Sequence, residues 1–540
     1  MSGVLAAVGL VAAAAASGAA ILLPPGRPRA VLMVAAMALF PILIVGDQWH
    51  TAQIVDLRHD EARIVELLVL AVAVTGALTY LFRRWPILLP LAIVFAIPFR
   101  VPLHAGGDTA NLLVPLYLVI VAGVAAAAAR DWALWPAGPV AAGDPPPPAR
   151  QEGVPPATPP AGGAAVWVPR ALAAVVILYA LQTLYSDDFS KGLQNVCFFL
   201  VPFTVAFGLL QDVRWDRRLL RWVLIVVGVE ATAFVLVGGV EYVATSLFWN
   251  DQIIRSNEFH TYFRVNSVFW DPNVYGRYLA LVAVLATAAL LWARTREAFW
   301  LLSGLILALW LGLVPTFSQS SLLALLAGLA VLAAIRWSWR WTVAAVAIGA
   351  IGAVLVVLLV GGSGKITSDR LNVDLSGRGS LISGGTDLFL ERPVQGYGSG
   401  SFQAAYREQR ANKDAPVTVS HTEPVTVAAE QGLIGLAVYI FLVAVALWTL
   451  GRGIFPASPV GGVVGGTPPC RARGGGSPAA TGPAGSAARA AVLAAFVALL
   501  VHTLAYAGFF EDPITWVLLA VGASLAHAAA GDDPVIRRRA

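Results

Sequence analysis

The feature that most constrains this chain is the recurrence, from end to end, of apolar runs about 18 to 25 residues long. At about 1.5 Å per residue, each is long enough to cross a hydrocarbon core about 30 Å thick as a helix. Only 12% of the 540 residues are charged and 58% are hydrophobic, against roughly a quarter charged in an ordinary soluble domain. A soluble fold has no means of hiding that much apolar surface, so the bilayer must be the solvent. The expected fold is all-α: a polytopic transmembrane helical protein.

The runs lie near 3–23, 30–46, 65–82, 86–103, 110–129, 169–185, 193–210, 219–243, 274–293, 298–315, 320–335, 341–360, 426–450, 489–508 and 513–530, which makes about 15 spans. Basic residues cluster in alternate connections: Arg27 and Arg29, Arg83 and Arg84, Arg130 with Arg150 and Arg170, Arg214 to Arg221, Arg294 and Arg296, Arg336 and Arg340, Arg452 to Arg473, and Arg537 to Arg539. The positive-inside rule makes those connections cytoplasmic. The intervening ones are then outside, among them Asp47 to Arg63, Asn250 to Asn273, Gly361 to Val425 and Glu511 to Pro513. The first run has no basic flank before it and is followed by many others, so it reads as a retained helix.

Composition excludes several function classes. The two cysteines, Cys197 in an apolar run and Cys470 in a Gly/Pro-rich stretch, supply neither a disulfide framework nor a Cys-based zinc site. The net charge of +5 follows from topology and does not argue for nucleic acid.

The chain divides into N-terminal transmembrane helices (1–130), a Pro-rich cytoplasmic linker (131–168), a transmembrane core (169–360), an extracytoplasmic loop (361–425), a further span (426–450), a Gly/Pro-rich cytoplasmic linker (451–488), and C-terminal helices with a basic tail (489–540). The two linkers lack the apolar content to form a core. The loop 361–425 differs. Structureless loops beyond about 12 to 15 residues are uncommon unless functional, and this one mixes charges with aromatic and apolar residues. A short helix is expected over Ser383 to Leu390, within a small folded cap.

Charge near a bilayer is costly, so polar residues at the outer ends of spans are the best pointers to chemistry. The stretch Arg264 to Asn273 ends in Asp271-Pro272-Asn273, which suits a helix start. Arg277 falls about one turn into the span, where it either snorkels to the surface or faces a polar cavity. A second stretch holds Ser376-Gly377-Arg378 and then Arg392-Pro393-Val394-Gln395-Gly396-Tyr397-Gly398-Ser399-Gly400. Its glycines either let a ligand approach the backbone or form a plain turn, and Arg378 has a fork suited to phosphate. In the third stretch His421 precedes a span, an imidazole able to take a proton near neutral pH. Glu430, with Gly432 and Gly435, is either part of a site or a buried acid in small-residue helix packing.

Together these stretches resemble the O-antigen ligase and polymerase superfamily of bacterial membrane glycosyltransferases, over roughly residues 180 to 530. The chain departs from the family pattern at Phe317-Ser318-Gln319, where Ser-Arg is common, and at Thr422, where Asn commonly follows the histidine. The resemblance implies a GT-C-like membrane enzyme with its active site on the extracytoplasmic face of the inner membrane, acting in cell-surface polysaccharide biosynthesis. It implies transfer of a glycan from undecaprenyl pyrophosphate to a hydroxyl of a glycan, lipid or protein acceptor, with inversion and without metal or other cofactor. His421 is then the catalytic base, Arg264 and Arg378 hold the pyrophosphate, and Arg277, Arg392 and Glu430 are second-rank candidates. Membrane lipids are expected partners and nucleic acid is not.

Two other readings compete. A GT-C transferase using a polyprenyl monophosphate sugar would place its acid in an early outer loop, at Asp47, Asp56, Asp60 or Glu61. A lipid-glycan flippase or transporter predicts internal repeats and broken helices at the midplane, and no repeat is evident in the sequence.

Overall fold

The computed structural model describes residues 3–51, 54–55, 59–105, 108–133, 166–248, 254, 257, 262–348, 378–409, 420–454 and 483–531. These form a helical membrane bundle. In chain order the elements are α1 (Gly3–Leu22), α2 (Arg27–Asp47), α3 (Glu61–Arg84), α4 (Leu88–Ala96), β1 (Val101–Ala105), β2 (Asp108–Leu112), α5 (Val114–Ala133), α6 (Trp167–Thr183), α7 (Phe189–Gln211), α8 (Arg217–Ala244), α9 (Pro272–Leu291), α10 (Arg296–Leu313), α11 (Gln319–Arg336), α12 (Arg378–Glu391), α13 (Phe402–Gln409), α14 (Glu423–Gly451), α15 (Pro483–Thr503) and α16 (Pro513–Gly531). A π-helical turn, Val196–Leu200, interrupts α7.

Eleven helices among the described residues are long and apolar enough to span a membrane, and α6 and α16 are shorter apolar helices. The expected span at 86–103 takes another form. Pro98 and Pro102 bar continuation of a helix, so α4 stops at Ala96 and the chain goes on into an antiparallel hairpin in which Val101 pairs with Leu112. Of the expected span at 341–360, residues 341–348 are helical and the remainder lies outside the described residues. So do most of both linkers (134–165 and 455–482), residues 361–377 and 410–419 of the long loop, and Asp56.

One continuous apolar core joins the helices, from Leu10 and Met33 through Phe203 and Phe207 to Phe496 and Trp516. At its centre α9 packs against α10, α11 and α15. By contrast α3 keeps Leu68, Val69, Leu70 and Val72 on the outer surface, as a lipid-facing helix should. A second, smaller cluster, Leu388, Tyr397, Phe402, Ala405, Tyr406 and Ala429, holds α12 and α13 against α14. That is the folded cap expected from the loop, with its first helix running from Arg378, longer than the expected Ser383 to Leu390.

Candidate active site

Three helices that open on an acid followed by proline converge at one end of the bundle: α9 at Asp271-Pro272, α14 at Glu423-Pro424 and α16 at Asp512-Pro513. Proline suits a first helical turn because its missing N–H is not needed there. The Asp271 carboxylate accepts from Asn273 N at 2.6 Å, and the Asp512 carboxylate accepts from Ile514 N at 2.8 Å, so both act as caps.

Arg277, one turn into α9, does not snorkel. Its Nη2 lies 2.8 Å from Asp512 Oδ2, and the two residues are only 4% and 3% exposed. The Nε and Nη1 groups of Arg277 reach no hydrogen-bond partner among the described residues. A buried guanidinium with donors left over is costly, and it is a ready binder of an anionic oxygen. Arg100, between α4 and β1, lies within electrostatic range of Arg277, Asp512 and Tyr506. Tyr506, in the α15–α16 connection, has its phenol held well above the usual tyrosine range, by burial first and by Asp271 second. It therefore remains an O–H donor.

His421 faces this group. Its ring centroid is 6.2 Å from that of Tyr506, which is 5.8 Å from that of His502. The His421 backbone is left-handed, with φ of 63°, a conformation costly for a non-glycine residue. Ser420 sustains it: the Ser420 hydroxyl accepts from Thr422 N at 3.2 Å, donates to Thr422 O at 2.8 Å, and lies 2.8 Å from Thr426 Oγ1. His502 Nε2 is 3.2 Å from Ser320 Oγ, and the Ser318 hydroxyl is 3.1 Å from Ser320 and 2.8 Å from Ser321. Ser321 donates to Asn273 O at 3.3 Å. Arg264 closes the chain, its Nη2 at 3.3 Å from Asn273 Oδ1 and its Nε at 3.0 Å from Thr316 O. Arg264 and His421 thus belong to one polar seam running through α9, α11 and α15.

The remaining expected site residues fall elsewhere. Arg378 opens α12, and its side chain lies outside the described residues. The Arg392 guanidinium stacks 4.0 Å above the Tyr397 ring and sits 3.6 Å from Asp187, which clamps the cap to the α6–α7 connection. Tyr397 also donates to Glu391; its phenol is pushed up to about 12, by burial first, and Glu391 is held below the usual carboxylate range by that hydrogen bond. The buried Glu430 carboxylate accepts from Gly400 N at 2.8 Å and Phe402 N at 3.2 Å, so its bonds are to the scaffold.

The glycines of the run face protein backbone. All three have positive φ. A Cβ on Gly396 would lie 2.3 Å from Glu430 O, on Gly398 2.3 Å from Ser186 Cα, and on Gly400 2.6 Å from Gly192 N. Of the two readings of this run the turn is the one realised, locked against α14 and the start of α7. Gly432, at φ 62° and ψ −161°, breaks α14 at the same level and brings Leu433 N to 2.8 Å from Pro393 O. Glu423 plays the part of Glu430 for the other loop, accepting from Gly508 N at 2.7 Å and Phe509 N at 3.0 Å. Between the two acids lies a cavity of about 60 Å³ lined by Tyr179, Lys191, Asn195 and Glu511 among others.

The early acids have ordinary duties. Asp47 accepts from Ser190 Oγ at 2.7 Å, and Asp60 caps α3 through Arg63 N at 3.0 Å. Glu61 is exposed in the first turn of α3.

Sequence reasoning passed over Arg100, His502, Tyr506 and Asp512. For Asp512 a signal was present, since Asp512-Pro513 repeats the Asp271-Pro272 opening on an outer connection.

This fold and site define a multi-pass helical membrane protein with a cationic, histidine-bearing centre at one end of its bundle. A family model described as O-antigen ligase matches residues 304–440, a stretch that contains the serine group of α11, the cap, the glycine lock, His421 and Glu430. Over that stretch the chain is similar to the O-antigen ligase and polymerase superfamily, a likeness in keeping with a membrane function in cell-surface polysaccharide biosynthesis. No curated protein matches the chain.

Proposed function

We propose that the protein transfers a glycan from a polyprenyl pyrophosphate carrier, undecaprenyl pyrophosphate in a bacterium, to an acceptor hydroxyl at the outer face of the inner membrane. The observation that carries this reading is Arg277. A buried guanidinium with two unspent donors stands within electrostatic range of Arg100 and in the same seam as His421. Next to it begins an apolar groove of about 450 Å³, which runs from Ile97, Tyr278 and Ile514 down α9 to Trp292 and, on α8, to Arg217. Tyr278 and Trp292 are fourteen positions apart on and just beyond α9, about 21 Å of helix. Such a groove suits a long hydrocarbon chain whose charged head rests at the guanidinium end.

In the reaction the acceptor oxygen bonds to the anomeric carbon as the bond to the pyrophosphate oxygen breaks. The hydroxyl proton passes to His421, whose imidazole is suited to accept it near neutral pH. The leaving pyrophosphate gains negative charge, and preorganised guanidinium groups in a low-dielectric site stabilise that change. We assign that role to Arg277 and Arg100, with Arg264 and Arg378 as the further arginines of the donor site. Attack from the face opposite the leaving group inverts the anomeric centre. No step in this scheme calls for a metal ion.

The test is to incubate the purified protein with lipid-linked oligosaccharide and acceptor and to analyse the products. Transfer that is lost in Arg277→Gln and His421→Ala, both folded, supports the reading. Translocation of the donor across a vesicle membrane without transfer overturns it in favour of a transporter.

A further inference from the structure

At the other end of the bundle lies a third cavity. Helix α7 starts beside the glycine lock, where Gly192 meets Gly400, and its 23 residues carry it about 34 Å away to Gln211. There the starts of α2, α4 and α8 and the ends of α3, α5 and α7 enclose a pocket of about 640 Å³. Its inner wall is apolar, with Met33, Phe82, Leu89 and Leu209, and four guanidinium groups line it, those of Arg29, Arg83, Arg130 and Arg214.

The carboxylates of this pocket are already committed. Asp212 is 2.7 Å from buried Arg29, Asp131 is 3.4 Å from Arg130, and Asp216 accepts from Leu219 N at 2.8 Å as the cap of α8. Among the described residues no carboxylate lies within ion-pair distance of Arg83 or Arg214. The pocket is therefore apolar inside and presents two guanidinium groups, Arg83 and Arg214, without a carboxylate at ion-pair distance among the described residues.

We propose that this pocket binds a membrane phospholipid of net negative charge, whose phosphodiester has no headgroup cation beside it, from the leaflet opposite the transfer site. The phosphodiester sits on Arg83 and Arg214 through the forked hydrogen bonds that guanidinium offers phosphate, and one acyl chain lies along the Met33, Phe82, Leu89 and Leu209 wall. Because the lipid would join α2, α3, α5 and α8 at their ends, its binding stabilises the bundle by mass action. The inference does not depend on the reaction assigned to the other end.

The experiment uses the full chain, delipidated in a neutral detergent and titrated with dioleoyl phosphatidylglycerol or with dioleoyl phosphatidylcholine. Thermal unfolding and native mass spectrometry are the readouts. Phosphatidylglycerol is expected to be retained and to raise Tm by several degrees more than phosphatidylcholine. In Arg83→Gln/Arg214→Gln that difference disappears while Tm in detergent alone is unchanged. Ala127→Phe, which fills the pocket, loses the response to both lipids; should it misfold, the arginine pair decides alone. Equal shifts from the two lipids, or a full preference retained in the double variant, overturn the proposal. A matching shift from inorganic phosphate would overturn the lipid as occupant, and displacement of phosphatidylglycerol by undecaprenyl phosphate would assign the pocket to the donor carrier instead.

Discussion

Removing Asp512 separates the structural and chemical meanings of the buried ion pair. In Asp512→Ala the guanidinium of Arg277, 2.8 Å from the carboxylate in the native protein and 4% exposed, is left uncompensated. Breaking a buried pair in this way costs about 3–5 kcal/mol. The same carboxylate caps α16 through Ile514 N at 2.8 Å, and loss of such a cap costs about 0.5–2 kcal/mol. The two effects share one side chain and do not simply add, so the variant should lose about 4–6 kcal/mol of stability. Arg277→Met/Asp512→Leu removes both charges with little change in volume, and such exchanges are often neutral or stabilising. It should recover all but the cap's share. Thermal unfolding monitored by size-exclusion chromatography reads stability, and transfer from lipid-linked oligosaccharide reads function. The double variant is expected to be nearly as stable as the native protein and inactive. Native stability in Asp512→Ala would show that the pair holds nothing together, and transfer at the native rate in the double variant would remove Arg277 from the donor site.

Further outcomes follow from the same geometry. His421→Ala should keep its fold and lose about 10²- to 10⁴-fold in transfer, the usual loss when acid–base catalysis is removed; full activity in that variant ends the role given to His421. Glu430→Ala leaves Gly400 N and Phe402 N without their acceptor, at about 1–3 kcal/mol for each buried donor, so limited proteolysis should reach the cap in the variant before the native protein. A Glu430→Gln variant of native Tm and no activity would instead make Glu430 a participant in the chemistry. Chelation by EDTA should leave transfer intact and Arg378→Lys should impair it, since lysine keeps the charge and loses the fork; the opposite pair of results favours the monophosphate-sugar reading.

The membrane fold was legible because apolar length is a local signal, and it survives in the helices observed. The failure at 86–103 was one of weighting, because hydropathy outvoted Pro98 and Pro102. His421, Arg264 and Arg277 were legible as charge at the edge of apolar runs, and the structure brings them to one end of the bundle. Their partners were not. Tyr506 and His502 sit in or beside a short connection more than eighty positions from His421, and nothing local announces that α15 and α16 fold back against α9 and α14. Glu430 shows the converse limit: the sequence left it open between site residue and buried acid, and the structure shows its hydrogen bonds going to the turn it holds.

The way α14 is anchored also sets an order of events in time. Glu423 needs the amides of Gly508 and Phe509, and Arg277 needs Asp512, so both wait for partners made more than eighty positions later. A ribosome that has delivered everything through α14 has released a bundle whose buried arginine has no counter-ion and whose His421 has no Tyr506 beside it. On the proposed scheme the site is completed only when the α15–α16 hairpin docks. The two parts are joined through a long Gly/Pro-rich stretch, so a chain severed there and expressed as two pieces should regain transfer when the hairpin is supplied separately, and stay silent without it.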